Sequence, residues 1–423
     1  MLNVDACRSQ FPALNQEIDG VQPVFFDGPG GSQPSQKVLD AITGYLSRSS
    51  ANLGGAYFSS RQTEETMRQA RESAKSLYHA KSPNEIVFGA NATSLSFMIS
   101  RALSKTWQQG DEIIVTALDH YSNVSPWLTE TEKAGVIVHQ VRVNEIDCTL
   151  DIEHLSSLVN SKTRLFACTY ASNTTGSIVD VYHAIKLIKS KSNALTYIDA
   201  VHLAPHGVID VQALDCDFLV SSAYKYFGPH LGVLFAKEEH LRKLCPEKVA
   251  PAKDTNPNRW ENGTQSYEAM AGLTASIDYI ASLSEGAGSS KRENLEIAFQ
   301  NIAKYEHELS RLFLNKINVY LQITLYGIKD KGRLNERTPT FAFTIKGVNP
   351  RAASEFFGAH HVCIWDGHFY AQGLIDQLGL SESGGVIRVG CMHYNTVDEV
   401  EQFFVLLDKF LEMQDQCSFL NGV

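Results

Sequence analysis

The sequence predicts an α/β fold, with a mostly parallel seven-stranded sheet sandwiched by helices and a smaller α+β C-terminal domain. Through the middle of the chain, short β-rich runs alternate with longer helical patterns, as parallel strands joined by helical crossovers do. Polar residues gather just after those runs, at the carboxyl edge where open α/β sheets hold ligands. The length of 423 residues, 43% of them hydrophobic, exceeds what one core usually spans, so two domains are expected.

Residues 1–25 read as an N-terminal arm packing on the small domain. Residues 26–265 form the large domain, with strands expected at 85–88, 112–116, 136–139, 164–169, 195–199, 218–220 and 232–235. Asn91 and Thr93 follow the first of these, His120 the second, Asn173 the fourth, Asp199 and His202 the fifth, and Lys225 the sixth. Near 240–265 the pattern breaks into a Pro/Asn/Lys-rich stretch. Residues 266–305 read as linking helices and 306–423 as the small domain, where β-like runs such as 340–345 alternate with helical ones.

A net charge of -10 without a Lys/Arg-rich run argues against nucleic acid or an anionic membrane as partner and for a small-molecule substrate. No segment has 18 uninterrupted apolar residues and the N-terminus is not signal-like, so a cytoplasmic protein is expected. The eight cysteines, from Cys7 to Cys417, form no Cys-x-x-Cys pair. No metal site is expected from them or from His202, His206 and His360-His361.

Lys225, in Ser221-Ser222-Ala223-Tyr224-Lys225-Tyr226-Phe227-Gly228-Pro229, follows one apolar strand, and Asp199 ends the strand before it. A lysine that can form a Schiff base and a buried carboxylate that keeps a pyridine nitrogen protonated are the pair that pyridoxal 5'-phosphate (PLP) requires. Gly89-Ala90-Asn91-Ala92-Thr93-Ser94 lies between a strand and a helical run. Its free N–H groups could cradle a phosphate at a helix N-terminus, with Thr93 and Ser222 adding hydroxyls.

These segments, with Leu118-Asp119-His120-Tyr121-Ser122-Asn123, Ala171-Ser172-Asn173-Thr174-Thr175-Gly176 and Asp199-Ala200-Val201-His202, occur in the order found in one family. From about residue 24 to 410 the chain resembles the class V aminotransferases, which are fold-type I PLP enzymes, in their cysteine-desulfurase-like branch. The resemblance implies Lys225 as the Schiff-base lysine, His120 stacked on the cofactor ring, Asn173 and His202 beside it, and Asp199 at its nitrogen. It places the phosphate on Ala92, Thr93 and Ser222. Gly263 and Thr264 resemble the element that reaches the partner subunit's phosphate, which implies a homodimer with a shared active site. Arg388 matches the arginine for a substrate α-carboxylate, a role suited to its bidentate fork. The implied substrate is a small amino acid.

The chain departs from that branch at the loop that carries its catalytic thiol. Trp365-Asp366-Gly367-His368-Phe369-Tyr370-Ala371 puts Tyr370 at that position, and a phenol cannot form a persulfide. Cys363 offers a competing register, but Val362-Cys363-Ile364-Trp365 reads as a strand. His202 stands where desulfurases have glutamine, as in kynureninase- and epimerase-like branches. Asn52-Leu53-Gly54-Gly55-Ala56-Tyr57 lacks the His-Arg pair of the substrate loop. The alternatives are therefore a C–S or C–C lyase, kynureninase-like, and an aminotransferase or epimerase without persulfide chemistry.

Other readings compete with these. Phe25-Phe26-Asp27-Gly28-Pro29-Gly30-Gly31-Ser32-Gln33 enters a glycine loop as a dinucleotide site does, but its sixth position is Gln33 and no acidic residue ends a strand twenty residues on. His206 reads as a turn residue, and Tyr121, Tyr224 and Tyr226 as packing. A non-catalytic interaction protein that kept the fold is the third possibility.

Overall fold

The structure, a computed structural model, describes residues 2–420, with side chains through 416, so the side chain of Cys417 lies outside it. Thirteen strands are present among these residues. They are β1 (Val24–Phe25), β2 (Ile86–Gly89), β3 (Glu112–Thr116), β4 (Ile137–Val141), β5 (Thr163–Thr169), β6 (Leu195–Asp199), β7 (Phe218–Ser222) and β8 (Gly232–Ala236), then β9 (Ile323–Tyr326), β10 (Thr340–Ile345), β11 (Val362–Cys363), β12 (Trp365–Gly367) and β13 (Val386–Gly390).

The large sheet has the order β2-β8-β7-β6-β5-β3-β4. Only β8 runs against its neighbours. The seven expected strands all appear, 112–116 and 195–199 with the expected ends and the others within two residues of them. β7 and β8 are buried along their whole length, which explains why they read as continuous apolar runs rather than alternating ones. The helix Tyr267–Ser282 packs on Gln36–Arg48 and Phe58–Tyr78 to cover one face. The other face meets Ala92–Ser104, whose buried Leu95, Ile99 and Leu103 lie against Val87, Val115 and Val220.

A second sheet, β12-β13-β10-β9, is antiparallel. The helix Lys291–Ile317 joins the two cores. Leu295, Phe299 and Ile302 belong to the large one, and Leu309, Phe313 and Ile317 to the small one. The N-terminal arm departs from expectation, because it fills the seam between the cores instead of packing on the small domain alone. Phe11 is fully buried with Phe227, Tyr279 and Tyr394 around its ring, while Arg8 pairs with Glu399 at 2.8 Å. An aromatic side chain at a seam buries more apolar area than either face alone offers.

Candidate active site

The carboxyl ends of β3, β5, β6 and β7 and the start of Ala92–Ser104 surround one cavity. Ala92, Thr93, His120, Asn173, Asp199, His202, Ser222 and Lys225 all line it, together with Thr169, Ser122 and Tyr224. Asp199 and Val220 are register partners in adjacent parallel strands, so the backbone ladder fixes Asp199 against the chain leading into Lys225. Lys225 itself sits on the short 3-10 turn Ala223–Lys225. Asn91 caps the helix by accepting the Ser94 N–H at 2.8 Å, and the Ala92 N–H donates to Ser222 Oγ at 3.1 Å. Helix start and strand end thereby meet where an anion gains from the helix dipole.

Burial sets the electrostatics. It pulls the Lys225 amine down to about 7, helped by the Arg388 cation and opposed by Asp199 and Asp27. The Nζ donates to Pro29 O and lies 4.9 Å from the Tyr224 ring centre. Burial pushes Asp199 up to about 6, against the Val201 N–H at 2.8 Å and the Lys225 charge. His120 is held down to about 4, first by burial and then by Lys225 and Arg388. Its Nδ1 accepts the Ser122 N–H at 3.0 Å, so a neutral ring carries its proton on Nε2. Asp119 braces this loop by accepting from Asn123 Nδ2 at 2.7 Å, and Asn123 Oδ1 accepts from Trp127 Nε1 at 3.1 Å.

Arg388 reaches the same region from β13. Its Nη1 donates to Asn173 O at 2.8 Å, whereas its Nε is buried without a partner. The Phe369 ring lies flat beneath the guanidinium, with the centroid 3.9 Å from Cζ. Phe369 and Tyr370 are both left-handed, at φ 51° and 58°, which costs about 1–2 kcal/mol for each non-glycine residue. Two hydrogen bonds hold this conformation, from Asn173 Nδ2 to Phe369 O at 2.9 Å and from the Tyr121 N–H to Tyr370 O at 2.7 Å. Tyr370 is 66% exposed with its ring centre 5.3 Å from that of His120, so it stands at the mouth and not among the cavity-lining residues. Cys363 lies on β11, paired with Phe25, and burial pushes its thiol up to about 11.

Gly263 and Thr264 do not reach the cavity within this chain. Thr264 lines a separate hollow with Gly89, Ala90, Arg101 and His230, on the far side of the β2 end. The role implied for them concerned a second subunit. Sequence reasoning did not single out Thr338 or Thr340, and it took Asp27 and Pro29 only as part of the glycine loop, which in the resembling family borders the substrate. The Asp27 Oδ1 is buried without a partner. The two threonines carry no motif and come near only because β10 docks there.

The residues present fit PLP. The cavity holds a lysine near its neutral form, a buried carboxylate and a helix start with hydroxyls beside it. Asn173 Oδ1 and Arg388 Nε are orphaned buried polar atoms, of the kind a polar ligand satisfies. Among the described residues no group of three or more His, Cys, Asp or Glu could hold a metal ion, and no helix is long and apolar enough to cross a membrane.

Comparison with known proteins agrees with this geometry. The family model described as aminotransferase class-V matches residues 24–403. The aminotransferase-like protein FGM3 of Gibberella zeae is 32% identical, with 97% of this chain and 98% of that protein covered. A probable cysteine desulfurase of Synechocystis sp. is 30% identical over 94% and 93% of the two chains. Among solved structures, a cysteine desulfurase from Thermococcus onnurineus NA1 superposes with a TM-score of 0.86 at 23% identity, covering 97% of this chain and 98% of that one.

Proposed function

The chain belongs to the class-V aminotransferase family, and from that premise we propose that it is a PLP-dependent, cysteine-desulfurase-like enzyme acting on a small amino acid without persulfide chemistry. The observation that carries this reading is Tyr370 at the thiol position of the loop, with Cys363 held in a strand outside the cavity. The reaction is then a C–S or C–C lyase, aminotransferase or epimerase reaction. His202, where desulfurases have glutamine, favours the kynureninase- or epimerase-like side of the family over sulfur transfer.

In this reading Lys225 is the Schiff-base lysine, and its depressed amine serves proton transfer at the substrate Cα. Asp199 holds a proton on the pyridine nitrogen. His120 stacks on the ring, and Asn173 and His202 flank it. Ala92, Thr93 and Ser222 bind the phosphate, and Arg388 takes the substrate carboxylate on the edge that carries its free Nε. When bound, PLP supplies the electron sink for the pair left at Cα. Gly263 and Thr264 serve the partner's phosphate in a homodimer. The protein works in the cytoplasm.

The test is to incubate the PLP-saturated protein with L-cysteine and measure pyruvate, ammonia, free sulfide, alanine and protein persulfide, with Lys225→Ala as blank. Pyruvate, ammonia and free sulfide in equal amounts, without alanine or persulfide, support C–S cleavage by elimination. Neither pyruvate nor alanine moves the reaction to C–C lyase, aminotransferase or epimerase substrates. Persulfide trapped on any cysteine during turnover sinks the reading.

A further inference from the structure

His202 belongs to the wall of the Lys225 cavity and to the seam between the two cores. Its Nε2 lies 3.1 Å from Thr338 Oγ1 and 3.2 Å from Thr340 Oγ1, hydroxyls at and just before the start of β10. Thr338 is pinned in turn, since its N–H donates to Gly176 O at 2.8 Å. Gly176 has φ +77°, and a Cβ there would meet Thr338 Oγ1 and Thr340 O at 2.8 Å, so only glycine lets the two segments approach this closely. The imidazole is thereby fixed from behind.

Four residues further on, His206 packs edge-on against His202, with ring centres 5.6 Å apart at 62°. Its Nδ1 lies 3.0 and 2.9 Å from the two carboxylate oxygens of Glu306, which arrives from the helix Lys291–Ile317. His206 is 6% exposed and Glu306 3%. Well-packed apolar side chains often stabilise such a seam as well as a buried ion pair does, so stability alone does not account for the pair. The geometry sets the His206 ring next to His202, with the Glu306 carboxylate behind it.

We propose that His206 and Glu306 are positioning residues that act on the cofactor pocket through His202, which Thr338 and Thr340 hold from one direction and the His206 ring from another. The proposal rests on the PLP reading above. Lys225 from the turn after β7 and Arg388 from β13 face His202 together with His206, and Asp199 lies three residues before it. His393, after β13, faces His206 from the other side. Burial first, and then His206, Lys225 and Arg388 around it, push His202 well below its ordinary value.

The experiment follows the absorption spectrum of bound PLP against pH in wild type, Glu306→Gln, His202→Gln and the double variant. Glu306→Gln keeps the side-chain shape and removes the carboxylate that anchors His206, so His206 and with it His202 lose their fixed position and the spectroscopic midpoint is expected to move by about half a pH unit. In the His202→Gln background the same change is expected to shift nothing, because the residue it acts through is gone. An equal shift in both backgrounds, an unshifted midpoint with only a lower Tm, or a pH-invariant spectrum in all four proteins overturns the proposal. If Glu306→Gln does not fold, His206→Asn carries the same comparison. Wild-type protein lacking any PLP band sinks the cofactor reading and this inference with it, whereas a band with an unmoved midpoint sinks the inference alone.

Discussion

Asp199 and Lys225 stand on or just past the ends of adjacent parallel strands buried along their length, whereas Phe369 and Tyr370 hang on a loop that two hydrogen bonds keep in a left-handed conformation. In the first region a backbone ladder fixes side-chain direction, and the residue types match the family pattern. In the second, a few side-chain and loop contacts fix it, and the residue at the family's thiol position has changed. A loop can exchange its chemistry while the strand ends keep theirs. In the proposed reading, the half of the site that holds the cofactor rests on the strand ladder and the half that meets the substrate rests on the loop.

The sharpest way to break this comparison is at the strand ends. Lys225→Ala is expected to lower turnover by about 10³-fold or more, since it removes both the attachment point and the proton-transferring amine. Steady-state rates on any substrate of the wild type, at saturating PLP, check it. Asp199→Ala comes next. Removing one partner of a buried charge pair costs about 3–5 kcal/mol, so PLP affinity, measured by equilibrium dialysis, should fall by about 10²- to 10⁴-fold. Unchanged affinity would place Asp199 outside the cofactor's reach.

The Lys225 amine gives a pH test of the same region. With its value pulled to about 7, the free amine is about a tenth of the population at pH 6 and about nine tenths at pH 8. Only the neutral amine attacks an aldehyde, so the rate of PLP uptake by cofactor-free protein should rise about tenfold over that range and level off above it. For an ordinary lysine near 10.4 the rise would continue well past pH 9. Stopped-flow absorbance separates the two profiles.

The strand ends were legible in sequence because each polar residue follows an apolar run directly, as Asp199 follows Leu195-Thr196-Tyr197-Ile198. The large sheet could be read for the same reason. Contacts made across the seam could not. His206 does stand in a turn, as it reads in sequence, but nothing local shows its partner, Glu306, 100 positions away on the helix Lys291–Ile317. Pro29 and Thr338 enter the site through a carbonyl and a hydroxyl that any sequence offers in plenty. The N-terminal arm was placed on one core because no local pattern in 1–25 shows that Cys7, Phe11 and Leu14 join the large core while Val4 and Val24 meet the small one.

At the loop the expected effects are smaller, and they sharpen the comparison by what they leave unchanged. Cys363→Ser removes the one thiol near the substrate half that offered a rival register. Its sulfur lies on β11 opposite Phe25, and burial holds it up to about 11, so at neutral pH the nucleophilic thiolate is scarce. The variant should retain turnover within about twofold, because swapping a small, partly buried side chain for an isostere costs little and no step uses the thiol. Mass spectrometry of both proteins after exposure to L-cysteine should find no sulfur added at position 363. Loss of most activity in Cys363→Ser, with PLP still bound, would instead mean that β11 moves during turnover and that the substrate half keeps a working thiol in a new place.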